Sequence, residues 1–267
     1  VTGSAMALLA ACSGREEPTA EPIQPGGAQP TPTVAAAPTP AVEPTPTVIE
    51  EGRRGGTLRI ALIGEPPTLD IHRTTATIVT LTTTHMYEPL FTWDEQFQII
   101  PDLAESHDVS DDGLTIVVRL RQGVPFHNGE EMKAADVIAS IERWGQISGL
   151  GKNLMDATEK ITEVDDYTVE FKMKRPFGAF TTVLARQNQG CFIYPKSLLD
   201  KVGTEPIQDG FVGTGPYRFV ERQADRFIRM ARFEDYAARS EPPNGYGGRK
   251  NAYVDEIVFI PVPDEAA

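Results

Sequence analysis

Apolar and polar side chains alternate along residues 114–120, and this period of two predicts a strand with one buried face. Its apolar face carries Leu114, Ile116, Val118 and Leu120, while Val117 is the exception on the polar face. Asp111-Asp112-Gly113 predicts a turn into this strand and Gln122-Gly123 a turn out of it, because these residue types tolerate the backbone angles of tight turns.

Similar patterns predict further strands on both sides of this one. They are expected over Leu58–Leu62, in a hairpin of 161–164 and 167–173 around Asp165-Asp166, and over Cys191–Tyr194. Pro66 and Pro67 follow the first strand and stop it, since proline cannot donate a hydrogen bond to a ladder.

Apolar residues at helical spacing predict a helix after the Asn128-Gly129 turn. Its stripe consists of Ala134, Val137, Ile138 and Ile141. Shorter helices are predicted over Ile78–Tyr87, along Phe177–Leu184, and over Lys196–Val202 between Pro195 and Gly203. The segment from Gly145 to Gly151 is expected to be a glycine-rich connection.

The composition is that of a globular protein with an acidic surface. The chain has 267 residues, 40% of them hydrophobic, which is enough for a sizeable core in one or two domains. The net charge of −13 argues against a nucleic-acid partner, because that affinity comes from Lys and Arg meeting phosphates. No run approaches the ~20 apolar residues that span a bilayer.

The first residues form a short apolar run, Ala5–Cys12, that ends in small residues and is typical of the tail of a secretory signal peptide. Leu9-Ala10-Ala11-Cys12 also resembles a bacterial lipobox, in which the cysteine becomes the lipidated first residue of the mature protein. Residues 1–12 are therefore interpreted as a truncated lipoprotein signal peptide with Cys12 as the lipidation site. An ordinary apolar segment with a chance cysteine is the alternative.

Residues 13–54 are rich in proline, threonine and alanine and show no apolar period. Such a segment buries too little to offset its ordering entropy, so it is predicted to be an extended, disordered tether. A proline-rich ligand for a partner protein is the alternative.

Motifs of catalysis and phosphate binding are missing from the sequence. No serine stands in the G-x-S-x-G setting, and Gly151-Lys152 lacks the other residues of a phosphate loop. The histidines lack the i, i+4 spacing of a helical metal pair and are interpreted as surface or hydrogen-bonded structural residues: His72, His85, His107 and His127. Cys191 is predicted to be a buried free thiol. No catalytic residue, metal site or cofactor is predicted.

Several stretches together resemble one protein family. They are GGTLRIALIGEPPTLDIH (55–72), MYEPLFTWD (86–94), DLAESHDVSDDGLTIVVRLRQGVPFHNGEEMKAADV (102–137), GTGPY (213–217), ARFEDYA (231–237) and NAYVDEIVFIPVPDEAA (251–267). This series resembles the family 5 extracellular solute-binding proteins, which include the dipeptide- and oligopeptide-binding lipoproteins of bacterial ABC importers. Two features depart from the family pattern: the Gly/Pro-rich insert Ser240–Lys250, and Lys133 where a capping Thr or Ser is common.

The resemblance implies a mixed α/β fold like that of the type II periplasmic binding proteins. It also implies that the GTGPY turn within 213–219 feeds a strand, with which Phe227–Met230 would pair. It implies an N-terminal lobe with an inserted α+β domain, and a second lobe that is missing from this chain. On this interpretation residues 55–88 and 179–267 form lobe I, and residues 89–178 form the inserted domain.

The resemblance also implies substrate-binding residues. In this family a segment just after the "LD.H" loop offers backbone groups to a peptide, which implies Thr75, Ala76 and Thr77. A loop before the "YPK" sequence faces the cleft, which implies Asn188, Gln189 and Gly190. An ordinary polar loop is the alternative for each segment.

The implied function is that of a substrate-binding subunit of an ABC importer. It would capture peptides outside the membrane and deliver them to a permease by closure of two lobes. A lipid-anchored, extracytoplasmic monomer without a cofactor is expected. The alternatives are the same architecture binding nickel, haem or an oligosaccharide, and a secreted lipoprotein hydrolase.

Overall fold

The computed structural model describes residues 52–262. Cys12 and almost all of the 13–54 segment lie outside these residues, so their interpretation stays a prediction. In chain order the elements are β1 (Thr57–Leu62), a 3-10 turn (Ile71–Arg73), α1 (Thr77–Thr83), β2 (Phe91–Trp93), β3 (Ile99–Pro101), β4 (Ala104–Val109), β5 (Thr115–Leu120), α2 (Ala134–Ile147), α3 (Gly149–Ala157), β6 (Thr158–Asp165), β7 (Thr168–Met173), α4 (Phe180–Leu184), α5 (Lys196–Val202), β8 (Tyr217–Gln223), β9 (Phe227–Arg232) and β10 (Glu256–Pro261).

One four-stranded sheet has the order β1-β10-β9-β8. β1 and β10 are parallel, whereas β10, β9 and β8 pair antiparallel. One face is apolar and buried, with Leu62, Ile228, Met230, Ile257 and Phe259 in one core. The strands predicted near Leu58–Leu62, after the GTGPY turn and over 227–230 are all confirmed.

A second four-stranded sheet has the order β4-β5-β7-β6 and is antiparallel throughout. The predicted alternation is confirmed, because the side chains that face α2 and its neighbours are buried: Ile116, Val118, Leu120, Val169, Phe171 and Met173. Burial of each such side chain stabilises the fold by roughly 1.5–3 kcal/mol, so this face fixes the register of the sheet. β2 and β3 form a separate hairpin.

Helix α2 begins without the usual hydroxyl cap. Lys133 precedes it, and an ammonium group cannot accept a bond from a helix N–H. The Asp136 carboxylate accepts from the Lys133 N–H at 2.8 Å, and Lys133 Nζ bonds Asp166 at 2.6 Å. Asp136 therefore accepts the hydrogen bond of the Lys133 backbone N–H, and the Lys133 ammonium joins the start of the helix to the β6–β7 turn.

The predicted glycine-rich connection from Gly145 to Gly151 is wrong. α2 continues to Ile147, and α3 begins at Gly149 after Ser148 caps it. A Cβ on Gly151 would lie 2.5 Å from the Trp144 carbonyl oxygen, and one on Gly145 would collide with Met155. These glycines permit a close helix–helix contact, so they are packing positions and not a flexible link.

The helix predicted over Ile78–Tyr87 is shorter than expected, because α1 ends at Thr83. The backbone beyond it bonds elsewhere: the His85 and Met86 carbonyls accept from the Tyr217 and Gly215 N–H groups at 3.0 and 2.9 Å. The predicted strand Cys191–Tyr194 is likewise reduced to a single bridge between Phe192 and Pro89.

The buried side chains form two apolar clusters. One surrounds the β1-β10-β9-β8 sheet, and the other surrounds the β4-β5-β7-β6 sheet with α2 and α3. Residues of α4, together with Cys191 and Ile193, pack into the second cluster. No helix within residues 52–262 is long and apolar enough to cross a membrane.

Candidate ligand-binding surface

The parallel strands β1 and β10 end side by side. Leu62 is in register with Pro261, and the Val262 N–H donates to the Leu62 carbonyl at 2.8 Å. Ile63 follows at the end of β1 with 95% of its surface exposed. Ligands of open α/β sheets commonly lie outside the carboxyl ends of parallel strands, so this edge is where a binding surface is expected.

The loop that leaves β1 is held by an arginine of β8. Arg222 Nε donates to Glu65 Oε1 and its NH2 group to the Pro66 carbonyl, both at 2.8 Å. The Asp225 N–H donates to Glu65 Oε2 at 3.1 Å, and these bonds lower the pKa of the Glu65 carboxyl. The two prolines of this loop are therefore fixed against the sheet.

A buried ion pair fixes the next part of the loop. Arg143 of α2 binds Asp70 through two nitrogens, at 2.6 and 3.1 Å, and both side chains are almost fully buried. The same guanidinium donates to the carbonyls of Gly203 and Glu205 at 2.8 and 2.9 Å. The Ile207 N–H donates to Asp70 Oδ2 at 3.1 Å. Three distant segments thus meet at one carboxylate.

His72 completes this ion-pair network as a neutral imidazole. Nε2 lies 2.8 Å from the Phe192 carbonyl and Nδ1 lies 3.2 Å from Arg143 NH1. A carbonyl only accepts and a guanidinium only donates, so Nε2 carries the proton and Nδ1 accepts. Burial lowers the pKa of His72 to about 4. The predicted hydrogen-bonded structural role of this histidine is confirmed.

The predicted residues Thr75, Ala76 and Thr77 follow directly. Thr75 and Thr77 are exposed, and the flanking Thr74 has an extended backbone with φ −144° and ψ 146°. The Ala76 N–H donates to Thr74 Oγ1 at 3.1 Å, and the Ala76 carbonyl accepts from α1. Within residues 52–262 the Thr75 N–H and C=O make no hydrogen bond. This residue therefore offers both backbone groups to a ligand.

The second predicted segment is more constrained. The Gln189 carbonyl accepts from Trp144 Nε1 at 2.7 Å, and Gln189 itself has a φ of 50°. Asn188 Oδ1 accepts from Arg186 NH2 at 3.0 Å. Gly190 is buried, and a Cβ there would collide with the Arg186 carbonyl. In the described part of the chain no hydrogen bond joins this turn to Thr75–Thr77, so its place in a cleft stays a prediction.

Sequence reasoning missed a second buried polar cluster. Lys250, at the end of the Gly/Pro-rich insert, lies 2.7 Å from Glu88 and 2.8 Å from Asp102. Glu88 also accepts from Tyr236 OH at 2.7 Å and from Thr214 Oγ1 at 2.9 Å. These partners are far apart in sequence. The only sequence feature that could have indicated the cluster is the lysine in the Gly/Pro-rich insert.

Within residues 52–262 no group of three or more His, Cys, Asp or Glu side chains is arranged to hold a metal ion. Cys191 is buried, as predicted, and burial raises the pKa of its thiol.

Known proteins match most of the described residues. The model of the family "Bacterial extracellular solute-binding proteins, family 5 Middle" matches residues 98–267. The chain belongs to this family. The "Probable peptide ABC transporter periplasmic-binding protein y4tO" of Sinorhizobium fredii is 35% identical over 208 residues, which are 76% of this chain and 38% of that protein.

Solved structures agree with the family assignment. Helicobacter pylori DppA in complex with peptide STSA superposes with a TM-score of 0.67 and 26% identity, over 80% of this chain and 44% of that one. AgaA in complex with agropinic acid, from A. tumefaciens R10, gives a TM-score of 0.64 and 31% identity, over 76% and 39%. The family 5 chain thus spans about two fifths of these proteins' length.

These superpositions confirm the predicted mixed α/β fold of the type II periplasmic binding proteins. The family consists of solute-binding proteins rather than enzymes. The resemblance seen in the sequence is therefore confirmed at the level of family and fold.

Proposed function

We propose that this family 5 chain is part of the substrate-binding subunit of an ABC importer that captures peptides outside the membrane. The observation that carries the proposal is the extended segment at Thr75, whose backbone N–H and C=O are unpaired within the described residues. Such groups recognise a peptide by adding it as a strand. The Arg143–Asp70 pair fixes the preceding loop. The segment therefore loses little conformational entropy when it binds a ligand.

The proposal includes a two-lobed mechanism. Residues 55–88 and 179–267 would form lobe I and residues 89–178 the inserted domain, each with its own four-stranded sheet, while α4, Cys191 and Ile193 pack into the apolar cluster of the inserted domain. Closure of lobe I against a second lobe would trap the peptide, because ligand shifts the population towards the closed state. A monomer that docks on a permease completes the proposal.

A change at Thr75 tests backbone recognition. Thr75→Pro removes the N–H, and the extended Thr74 before it already has the conformation that precedes proline. We expect the affinity for a bound peptide to fall about tenfold, as one lost hydrogen bond predicts. Binding is measured by thermal unfolding of the full encoded protein with a mixed di- to pentapeptide library. A peptide at ~100 times its dissociation constant stabilises the protein by about 2.7 kcal/mol.

Thr75→Val is the matched control, since it changes the side chain and keeps both backbone groups. Equal affinities for the proline and valine variants would contradict recognition through the Thr75 backbone. Absence of any stabilisation by peptides would contradict the peptide ligand itself.

Another solute is the second candidate. AgaA, which is 31% identical to this chain, was solved in complex with agropinic acid. A related protein thus binds a compound that is not called a peptide. If peptides fail, sugars, haem and metal chelates are the next ligands to screen. We propose no enzymatic activity; peptide cleavage on incubation would instead support the hydrolase alternative.

We also propose that Cys12 carries a lipid anchor and that residues 13–54 tether the globular part to it. Cys12→Ser is then expected to move the protein from the membrane fraction to the soluble fraction of expressing cells. Cys191→Ala is the control, because Cys191 is buried and unavailable to an acyl donor. Retention of the Cys12→Ser protein on membranes would contradict the anchor.

A further inference from the structure

The chain contains two Asn-Gly pairs, Asn128-Gly129 and Asn244-Gly245. In such a pair the backbone nitrogen of the glycine can attack the side-chain carbonyl carbon of the asparagine, because glycine has no side chain to hinder the approach. Both pairs lie in turns, and both glycines are exposed. The two turns bond the glycine nitrogen differently, so the fold should give the two pairs different reactivities.

The glycine N–H is bonded in the first turn and free in the second. The Gly129 N–H donates to the Phe126 carbonyl at 2.9 Å. The Gly245 N–H makes no hydrogen bond with any of residues 52–262. Its turn is closed on either side of it, because the backbone N–H groups of Asn244 and Gly247 donate to each other's carbonyls at 3.0 Å. The Gly245 nitrogen can therefore lose its proton to hydroxide without first breaking a hydrogen bond.

The asparagine carbonyls that would be attacked are alike in the two turns. Asn244 Oδ1 accepts from the Glu95 N–H at 3.1 Å, and Asn128 Oδ1 accepts from the Glu130 N–H at the same distance. Each N–H is placed to stabilise negative charge that develops on the oxygen during attack. The electrophiles are thus matched, and the hydrogen bonding of the two glycine nitrogens is the difference between the pairs.

Water can reach the Asn244 side chain. This residue lines a groove of about 550 Å³ together with Glu95 and Glu241, and both of these glutamates are exposed. The hydroxide that removes a proton and the water that hydrolyses an intermediate can therefore enter from the same groove.

We propose that Asn244 is a site of spontaneous deamidation in the folded chain. The Gly245 nitrogen, once it has lost its proton to hydroxide, forms a bond to Cγ of Asn244. The bond from Cγ to Nδ2 breaks, and Nδ2 takes up a proton and leaves as ammonia. Water then opens the cyclic imide at one of its two carbonyl carbons, which gives aspartate or isoaspartate.

The isoaspartate product would change how the Gly/Pro-rich insert contacts the β2–β3 hairpin. It adds one carbon to the backbone directly before Gly245, where the fit is close: a Cβ on Gly245 would lie 2.5 Å from the Asp94 carbonyl carbon. The next residue of the same turn, Tyr246, donates its N–H to the Trp93 carbonyl at 2.9 Å. The modification therefore acts on the contact that holds the insert in place.

Trypsin separates the two pairs, which makes Asn128 an internal reference. Cleavage after arginine and lysine gives peptides 240–249 and 122–133, each with a single asparagine. The folded 267-residue chain is incubated at mildly alkaline pH, and mass spectrometry of its digests follows the conversion of Asn to Asp over time. We expect Asn244 to convert roughly tenfold faster than Asn128, the factor that one backbone hydrogen bond is worth.

Incubation in urea is the control for the fold, because the unfolded chain retains none of these hydrogen bonds and the two pairs should convert at similar rates. Asn244→Ser removes the reacting group and should abolish the mass increase of peptide 240–249. The proposal would be overturned by conversion of Asn128 as fast as that of Asn244 in the folded chain, or by no conversion of Asn244. The same ratio of rates in urea would also overturn it, since the difference would then not come from the fold.

Discussion

Arg143→Met is expected to lower the free energy of unfolding by about 3–5 kcal/mol. The substitution keeps an apolar stem of similar length but leaves the Asp70 carboxylate buried without its cation. It also removes the donors to the Gly203 and Glu205 carbonyls. An unpaired buried charge costs far more than the loss of an exposed pair, so the effect should be well above that of a substitution in a surface pair.

Urea unfolding of the 267-residue chain, followed by circular dichroism, measures this loss. Arg119→Met is the matched control, because Arg119 pairs with Asp108 and both side chains are more than half exposed. It should change the stability by less than about 1 kcal/mol. The double variant Arg143→Met/Asp70→Leu should recover much of the lost stability, since it buries no lone charge. A loss no larger than that of the control would contradict the role of the pair.

The local elements were predictable where one face of a segment is buried. The alternation of Ile116, Val118 and Leu120 identifies β5 because all three side chains enter one core. The same reasoning failed from Gly145 to Gly151, because glycine also occurs where two helices touch. A glycine can belong to a flexible connection or to a close helix–helix contact. The difference depends on the residue packed against it, here Met155, and the pattern of residues 145–151 does not show that contact.

The end of α1 shows a second limit. The helix was predicted to extend to Tyr87 partly through the family resemblance, since threonine is only a middling helix former. The backbone at His85 and Met86 instead bonds to Tyr217 and Gly215. A Cβ on Gly215 would lie 2.7 Å from the His85 carbonyl, which is why the GTGPY turn has glycine there. Hydrogen bonds to a distant segment thus end the helix at Thr83. Only the resemblance to family 5 assigned residues 85–86 and 215–217 to the same lobe.

The candidate binding residues were implied only by that resemblance and stay a prediction. Thr75–Thr77 have no distinctive composition, and the contacts that position them join Asp70 to Arg143 across 73 positions. The Lys250 cluster connects residues separated by 148 and 162 positions. Such pairs carry no periodicity, so sequence patterns reveal strands and helices but not the buried charges that hold them together.

Acidification from pH 6.5 to pH 4 is expected to destabilise the fold by about 3 kcal/mol. His72 and His127 are the cause, because burial lowers the pKa of each from 6.5 to about 4. His127 Nδ1 accepts from the Gly213 N–H at 3.2 Å, so a proton on that nitrogen would face another donor. Each histidine contributes stability that is present above pH 6.5 and is lost as the pH falls towards 4.

Asp102 acts in the opposite direction. Its pKa is raised from 3.8 to about 6, so its contribution favours folding below pH 3.8 and is lost as the pH rises through 6. Two histidines at about 3 kcal/mol each outweigh one aspartate at about 3 kcal/mol, and a net loss on acidification follows. Urea unfolding at a series of pH values measures it. His127→Gln, which supplies an amide donor and acceptor without titrating, should reduce the loss by about 3 kcal/mol. A stability that stays level or rises from pH 6.5 to pH 4 would show that these histidines are not held neutral by the fold.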